Sequence, residues 1–156
     1  MKSGKLFILS TLAFILGIFY VLAVILAIYL WITQSPFSSQ FLYYFVPKDV
    51  SSVIILAPIG LVLSSSLYYV LRRDVVKSIA CLLIGGGIGT IAMIIQTLVV
   101  FANIVDATIM GEKLSIEKIT VGLLRADSSL GWAAFLLFLT SILLYRKLRN
   151  TLKNNL

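Results

Sequence analysis

This chain has 156 residues. The residues that could bind a ligand or an ion are concentrated in one stretch of it. It contains the run Gly-Gly-Gly-Ile-Gly at positions 85–89, and Gln96, Asn103 and Asp106 follow that run. Glycine-rich loops bind nucleotide phosphates where they join a strand to a helix in a soluble fold. This run instead lies within an apolar stretch, and Thr90 stands where the last glycine of the G-x-G-x-x-G pattern would be. The sequence therefore does not predict a nucleotide-binding loop.

Most catalytic and redox chemistries lack their residues in this chain. The sequence has no histidine, which excludes histidine-ligated haem or zinc and a Ser-His-Asp triad. Its single cysteine, Cys81, excludes an intrachain disulfide and a CxxC redox pair. We therefore expect no catalytic residue, no cofactor and no metal ion, and we predict that the protein is not an enzyme.

The composition is that of a membrane protein. Hydrophobic residues make up 60% of the chain and charged residues 12%, with a mean hydropathy of +1.07, whereas soluble domains have about 45–50% and 25%. Four apolar stretches approach or exceed the roughly 20 residues that a helix needs to cross a bilayer, at positions 6–32, 51–71, 76–101 and 129–145. They lack the short alternating segments of membrane barrels. The sequence predicts one all-α domain over residues 1–156, an antiparallel bundle of four transmembrane helices.

The basic residues predict the orientation of the bundle, because cytoplasmic loops hold an excess of Lys and Arg. Nine of them fall at the two termini and in the second loop: Lys2, Lys5, Arg72, Arg73, Lys77, Arg146, Lys147, Arg149 and Lys153. The other four are Lys48, Lys113, Lys118 and Arg125. We therefore expect a multi-pass protein of the cell membrane with cytoplasmic N- and C-termini. Its basic side should meet anionic lipid and not nucleic acid.

Two segments are expected on the outer side. The aromatic residues at 37–46 are typical of an interfacial anchor or a re-entrant turn, and they would also suit a wall that binds lipid, quinone or a neighbouring subunit. The loop 103–128 is predicted to contain a short amphipathic helix that begins near Ser115 and carries Ile116, Ile119 and Leu123 on one face. The basic tail 146–156 is expected to continue the fourth helix.

Small residues within the spans predict close helix packing, because they allow backbones to approach each other in lipid. Gly85, Gly89 and Ala92 should form such a contact face on the third span, with Gly17 on the first and Gly60 on the second. An alternative interpretation makes the run 85–89 a break in the helix, whose freed carbonyls would line an ion or substrate site.

The function is predicted from the absence of charge within the spans. Ion-coupled transporters usually keep a charged residue inside the membrane, and none of the four spans has a central one. The sequence favours a non-catalytic subunit or scaffold of a larger membrane complex, whose partners are lipid and other subunits or further copies of itself. The alternative is a small oligomeric channel or transporter with a polar site near Gln96, Asn103 and Asp106. The abundance of Ile and Leu and the short loops are typical of prokaryotic proteins.

Overall fold

The computed structural model describes residues 3–33, 46–47, 50–111 and 126–153, and these residues form helices and no strand. The helices are α1 (Ser3–Thr33), α2 (Val50–Leu71), α3 (Val75–Ile109) and α4 (Ala126–Lys153). The predicted all-helical fold is therefore confirmed for the described part of the chain. The predicted amphipathic helix near Ser115 and the aromatic residues 37–45 lie outside the described residues.

Each helix is long and apolar enough to cross a membrane. The apolar stretches contain 30, 22, 35 and 19 residues in chain order, and a helix rises about 1.5 Å per residue against a bilayer core about 30 Å thick. The prediction of four such helices is confirmed by length and composition.

The helices α3 and α4 continue furthest beyond the predicted spans. Residues 103–109, expected in an outer loop, form the last part of α3, because no proline or glycine interrupts that stretch. The helix ends at Met110, and Gly111 follows with a φ of 70°, a conformation that glycine adopts easily. The helix α4 continues through the basic tail as far as Lys153.

The four helices pack in chain order. The helix α1 packs mainly on α2, α2 packs also on α3, and α3 packs also on α4, with fewer contacts between α1 and α4. The largest fully buried side chains are Tyr20, Leu56, Ile59, Leu63 and Leu82. Many large apolar side chains on all four helices face outward instead.

Candidate functional site

The glycine run lies inside an uninterrupted helix. α3 is helical from Val75 to Ile109, and Gly85, Gly86 and Gly89 are buried within the bundle. The helix break considered as an alternative is therefore not observed in α3. The described structure offers no unwound carbonyls at positions 85–89 for an ion or substrate to bind.

All four helices meet at Gly89. A Cβ atom added there would lie 2.6 Å from the Cβ of Ala134 on α4, 3.4 Å from the Oη of Tyr20 on α1 and 3.7 Å from Cγ2 of Ile59 on α2. The first distance is well below ordinary contact, and Ala134 Cβ cannot rotate away because it is attached to the backbone. The centre of the bundle is thus closed by direct contact between its helices.

The neighbouring glycines of α3 contact two different helices. A Cβ atom at Gly85 would lie 2.9 Å from the Leu63 side chain on α2, and one at Gly86 would lie 3.1 Å from Phe138 Cβ on α4. Gly87 differs, because its closest neighbour would be the far end of the Phe138 ring at 3.4 Å. The run therefore contains three tightly packed positions and one that has room for a methyl group.

The helices α1 and α2 cross at Gly17 and Gly60. An added Cβ at Gly17 would contact Ser64 Oγ and would lie 2.7 Å from the carbonyl oxygen of Gly60. An added Cβ at Gly60 would lie 2.9 Å from the carbonyl oxygen of Gly17. Because carbonyl oxygens belong to the backbone, relief of either contact requires the two helices to separate.

Several buried hydroxyl groups in the bundle have hydrogen-bond partners. Ser10 Oγ on α1 lies 3.1 Å from Ser78 Oγ on α3, and both side chains are fully buried. Thr90 donates to the carbonyl of Gly86 at 2.7 Å, and Ser141 donates to that of Leu137 at 2.6 Å. These bonds satisfy polar groups that would be costly to leave alone in an apolar interior.

The three predicted polar residues do not come together in the interior. Gln96 is half-buried, whereas Asn103 and Asp106 are exposed near the end of α3. Ala92, predicted with the packing glycines, is half-buried and lies beside Gln96 in a shallow groove between α2 and α3.

The groove contains a residue that sequence reasoning missed, Ser52. Its side chain is buried, and it lines with Gln96 a cavity of about 30 Å³ whose remaining walls are Ile55, Leu56, Ala92 and Ile95. Within the described part of the chain, neither the Ser52 hydroxyl nor the Gln96 amide has a hydrogen-bond partner. The paired polar residues at the start of the second span, Ser51 and Ser52, were the available signal. We call the six lining residues the Ser52–Gln96 groove.

No metal centre is seen among the described residues, where no three His, Cys, Asp or Glu side chains come together as ligands would. Comparison with family models, curated proteins and solved structures finds no match to this chain.

Proposed function

We propose that the chain is a multi-pass membrane protein with four antiparallel spans and cytoplasmic termini, and that it acts as a non-catalytic subunit or scaffold of a membrane complex. Four helices long and apolar enough to span a bilayer support the first part. The antiparallel arrangement is supported by contacts between α3 and α4, where Gly86, Gly89 and Met93 meet Phe138, Ala134 and Gly131 respectively. Residue numbers rise along α3 as they fall along α4.

The orientation is supported by where basic side chains lie in the bundle. Lys5 begins α1, Arg72 and Arg73 join α2 to α3, and Arg146 and Arg149 lie near the end of α4. In an antiparallel bundle these positions share one end. Such an end belongs in the cytoplasm by the rule that relates positive charge to topology.

A role as a conduction path is disfavoured by the packing of the interior. Ala134, Tyr20 and Ile59 surround Gly89, and α3 has no unwound segment. Selectivity filters and transporter sites need carbonyls or polar side chains that face a cavity. In this bundle, helix backbone and side chains occupy the centre, where such a cavity would have to lie.

The observation that carries the subunit proposal is the outward-facing Ser52–Gln96 groove. A primary amide has two donors and one acceptor oxygen, and an unsatisfied amide in hydrocarbon costs several kcal/mol. A neighbouring transmembrane helix with a polar side chain would satisfy Gln96 and Ser52 directly, which is how polar residues hold membrane helices together. The groove therefore supplies the contact that a partner subunit, or a second copy of the chain, would use.

Photo-crosslinking combined with co-purification tests this proposal. A crosslinking amino acid at Ile95, which lines the groove, should capture one defined transmembrane partner in native membranes, whereas the same group at exposed Ile84 should capture lipid. The variant Gln96→Leu should reduce recovery of that partner in mild detergent. Asn103→Leu is the matched control, because Asn103 is exposed on the same helix, and it should leave recovery unchanged. A wild-type protein that crosslinks only lipid from both positions and purifies as a monomer would contradict the proposal.

Measurements of ion flux distinguish the alternative function, a channel, from the proposed subunit. Liposomes that contain the purified protein should show no cation flux above that of empty liposomes, for the wild type and for the double variant Gln96→Leu, Asp106→Asn. A flux in the wild type that the double change abolishes would favour the channel and make the polar residues part of its path.

A further inference from the structure

The turn that joins α2 to α3 is tightly hydrogen-bonded. The amide of Arg73 donates to the carbonyl of Val70 at 2.9 Å, and the amide of Asp74 donates to that of Tyr69 at 2.9 Å. These are the two bonds of a Schellman motif, which ends a helix with one residue in the left-handed conformation. That residue is usually glycine, and here it is Arg73, with a φ of 60°. The backbone thus holds an arginine where a neutral glycine would be favoured.

Acidic side chains in the turn do not neutralise its two arginines. Asp74 accepts a hydrogen bond from the amide of Lys77 at 3.1 Å, and its carboxylate forms an ion pair with the Lys77 ammonium at 3.0 Å. Asp106 lies about 48 Å from the turn along α3, since the helix rises about 1.5 Å per residue. Within the described part of the chain, the exposed guanidinium groups of Arg72 and Arg73 therefore keep an uncompensated positive charge.

An aromatic ring supports the first of these arginines. The guanidinium carbon of Arg72 lies 4.6 Å from the ring centre of Tyr68, within the range of a cation–π contact. A guanidinium has five N–H donors, so Arg72 can bind an acceptor while it remains in contact with the ring. Tyr68 is about half exposed, as expected for a tyrosine at the level of lipid headgroups.

We propose that the Arg72–Arg73 turn binds the phosphate of an anionic membrane lipid. Arginine binds phosphate through two parallel N–H donors, and two adjacent arginines can bind two sides of one phosphodiester. Membrane lipid is favoured over a soluble phosphate because Leu71 and Val76, which flank the turn, are 67% and 78% exposed. These two apolar side chains are placed to contact acyl chains below the headgroup. This inference does not depend on the subunit proposal.

Thermal unfolding of the purified full-length protein in neutral detergent tests the proposal. Added phosphatidylglycerol should raise the unfolding midpoint, and equal amounts of phosphatidylcholine or inorganic phosphate should not. Each basic residue near an anionic surface contributes roughly a fivefold effect on binding. The double variant Arg72→Gln, Arg73→Gln should therefore need roughly 25-fold more phosphatidylglycerol for the same shift.

The matched control loses the same charge elsewhere on the same end of the bundle. The double variant Arg146→Gln, Arg149→Gln should lose clearly less of its phosphatidylglycerol response than Arg72→Gln, Arg73→Gln, because its arginines lie on α4 and not in the turn. An equal loss in both double variants would show a general surface charge and overturn the proposal. An equal shift of the unfolding midpoint with inorganic phosphate would contradict the proposal that the bound phosphate belongs to a lipid.

A further variant separates lipid binding from the stability of the turn. Arg73→Gly removes one charge and supplies the residue that a left-handed position favours. Its unfolding midpoint in phosphatidylcholine should therefore be equal to that of the wild type or higher, while its phosphatidylglycerol response should weaken about fivefold. A response that stays at the wild-type level would overturn the role of Arg73.

Discussion

Gly87→Ala and Gly89→Ala add the same methyl group at positions two residues apart on one helix. At Gly89 the new Cβ would lie 2.6 Å from Ala134 Cβ, whereas ordinary contact begins near 3.4 Å. The helices α3 and α4 must therefore separate by about 0.8 Å, since both atoms are fixed to their backbones. At Gly87 the nearest atom is already at 3.4 Å and belongs to the end of the Phe138 ring, so no movement is needed.

The two variants should differ in stability by about 1–3 kcal/mol. Overpacking of a tight contact costs about 1–3 kcal/mol, and replacement of glycine by alanine within a helix stabilises it by about 1 kcal/mol. Gly89→Ala combines both effects and should lower the free energy of unfolding by about 0–2 kcal/mol. Gly87→Ala has only the second effect and should raise that free energy by about 1 kcal/mol.

Unfolding by sodium dodecyl sulfate in mixed micelles, followed by circular dichroism, measures both free energies under one condition. The difference between the two variants is the quantity to compare, because errors of extrapolation affect both in the same way. Equal free energies of unfolding would refute the close contact at Gly89. A greater loss of stability for Gly87→Ala would mean that the α3 face toward α4 has been assigned to the wrong residues.

Four further experiments test other parts of the molecule. Gly89→Leu should destabilise the bundle more than the alanine variant, and Val99→Leu should be tolerated because Val99 is exposed; similar unfolding of both would contradict the packing. Gly17→Ala should destabilise the α1–α2 crossing, whereas Gly4→Ala should not, since nothing lies within 4 Å of a Cβ at Gly4; equal midpoints would count against the crossing. Hydrogen bonding from Lys77 holds the pKa of the Asp74 carboxyl below its ordinary value, so this carboxylate stabilises the fold at neutral pH, and the stabilisation is lost as the pH falls below about 4. The difference in unfolding midpoint between wild type and Asp74→Asn should therefore shrink on acidification, and a difference that grows would contradict this sign. A cysteine introduced at Ser115 should react with an impermeant reagent added outside intact cells and one at Asn154 should not; labelling of Asn154 would overturn the proposed topology.

Local properties of the sequence were sufficient to predict the helices. An apolar stretch of about 20 residues without charge has few alternatives to a helix, since each backbone polar group must be bonded within the segment. The predicted spans consequently lie within the observed helices, and the extensions are longest at the ends of α3 and α4. Hydropathy indicates where polarity rises, near Asn103 and Asp106. The helix α3 ends only where the backbone leaves the helical conformation, at Met110 and Gly111.

Only the tertiary structure decided which small residues form helix contacts and which polar residues share a groove. Gly85, Gly86, Gly87 and Gly89 are the same residue in sequence, yet Gly87 alone has room for a methyl group, because helical rotation turns it toward the edge of the α3–α4 contact. Gln96 and Ser52 are 44 positions apart in the chain, and nothing local to either one places them in a common groove. The sequence by itself determined that the chain forms long apolar helices, because hydropathy and backbone hydrogen bonding act within each segment. The contact partners of each helix face depend on rotation and crossing of separate segments, so only the folded bundle could decide them.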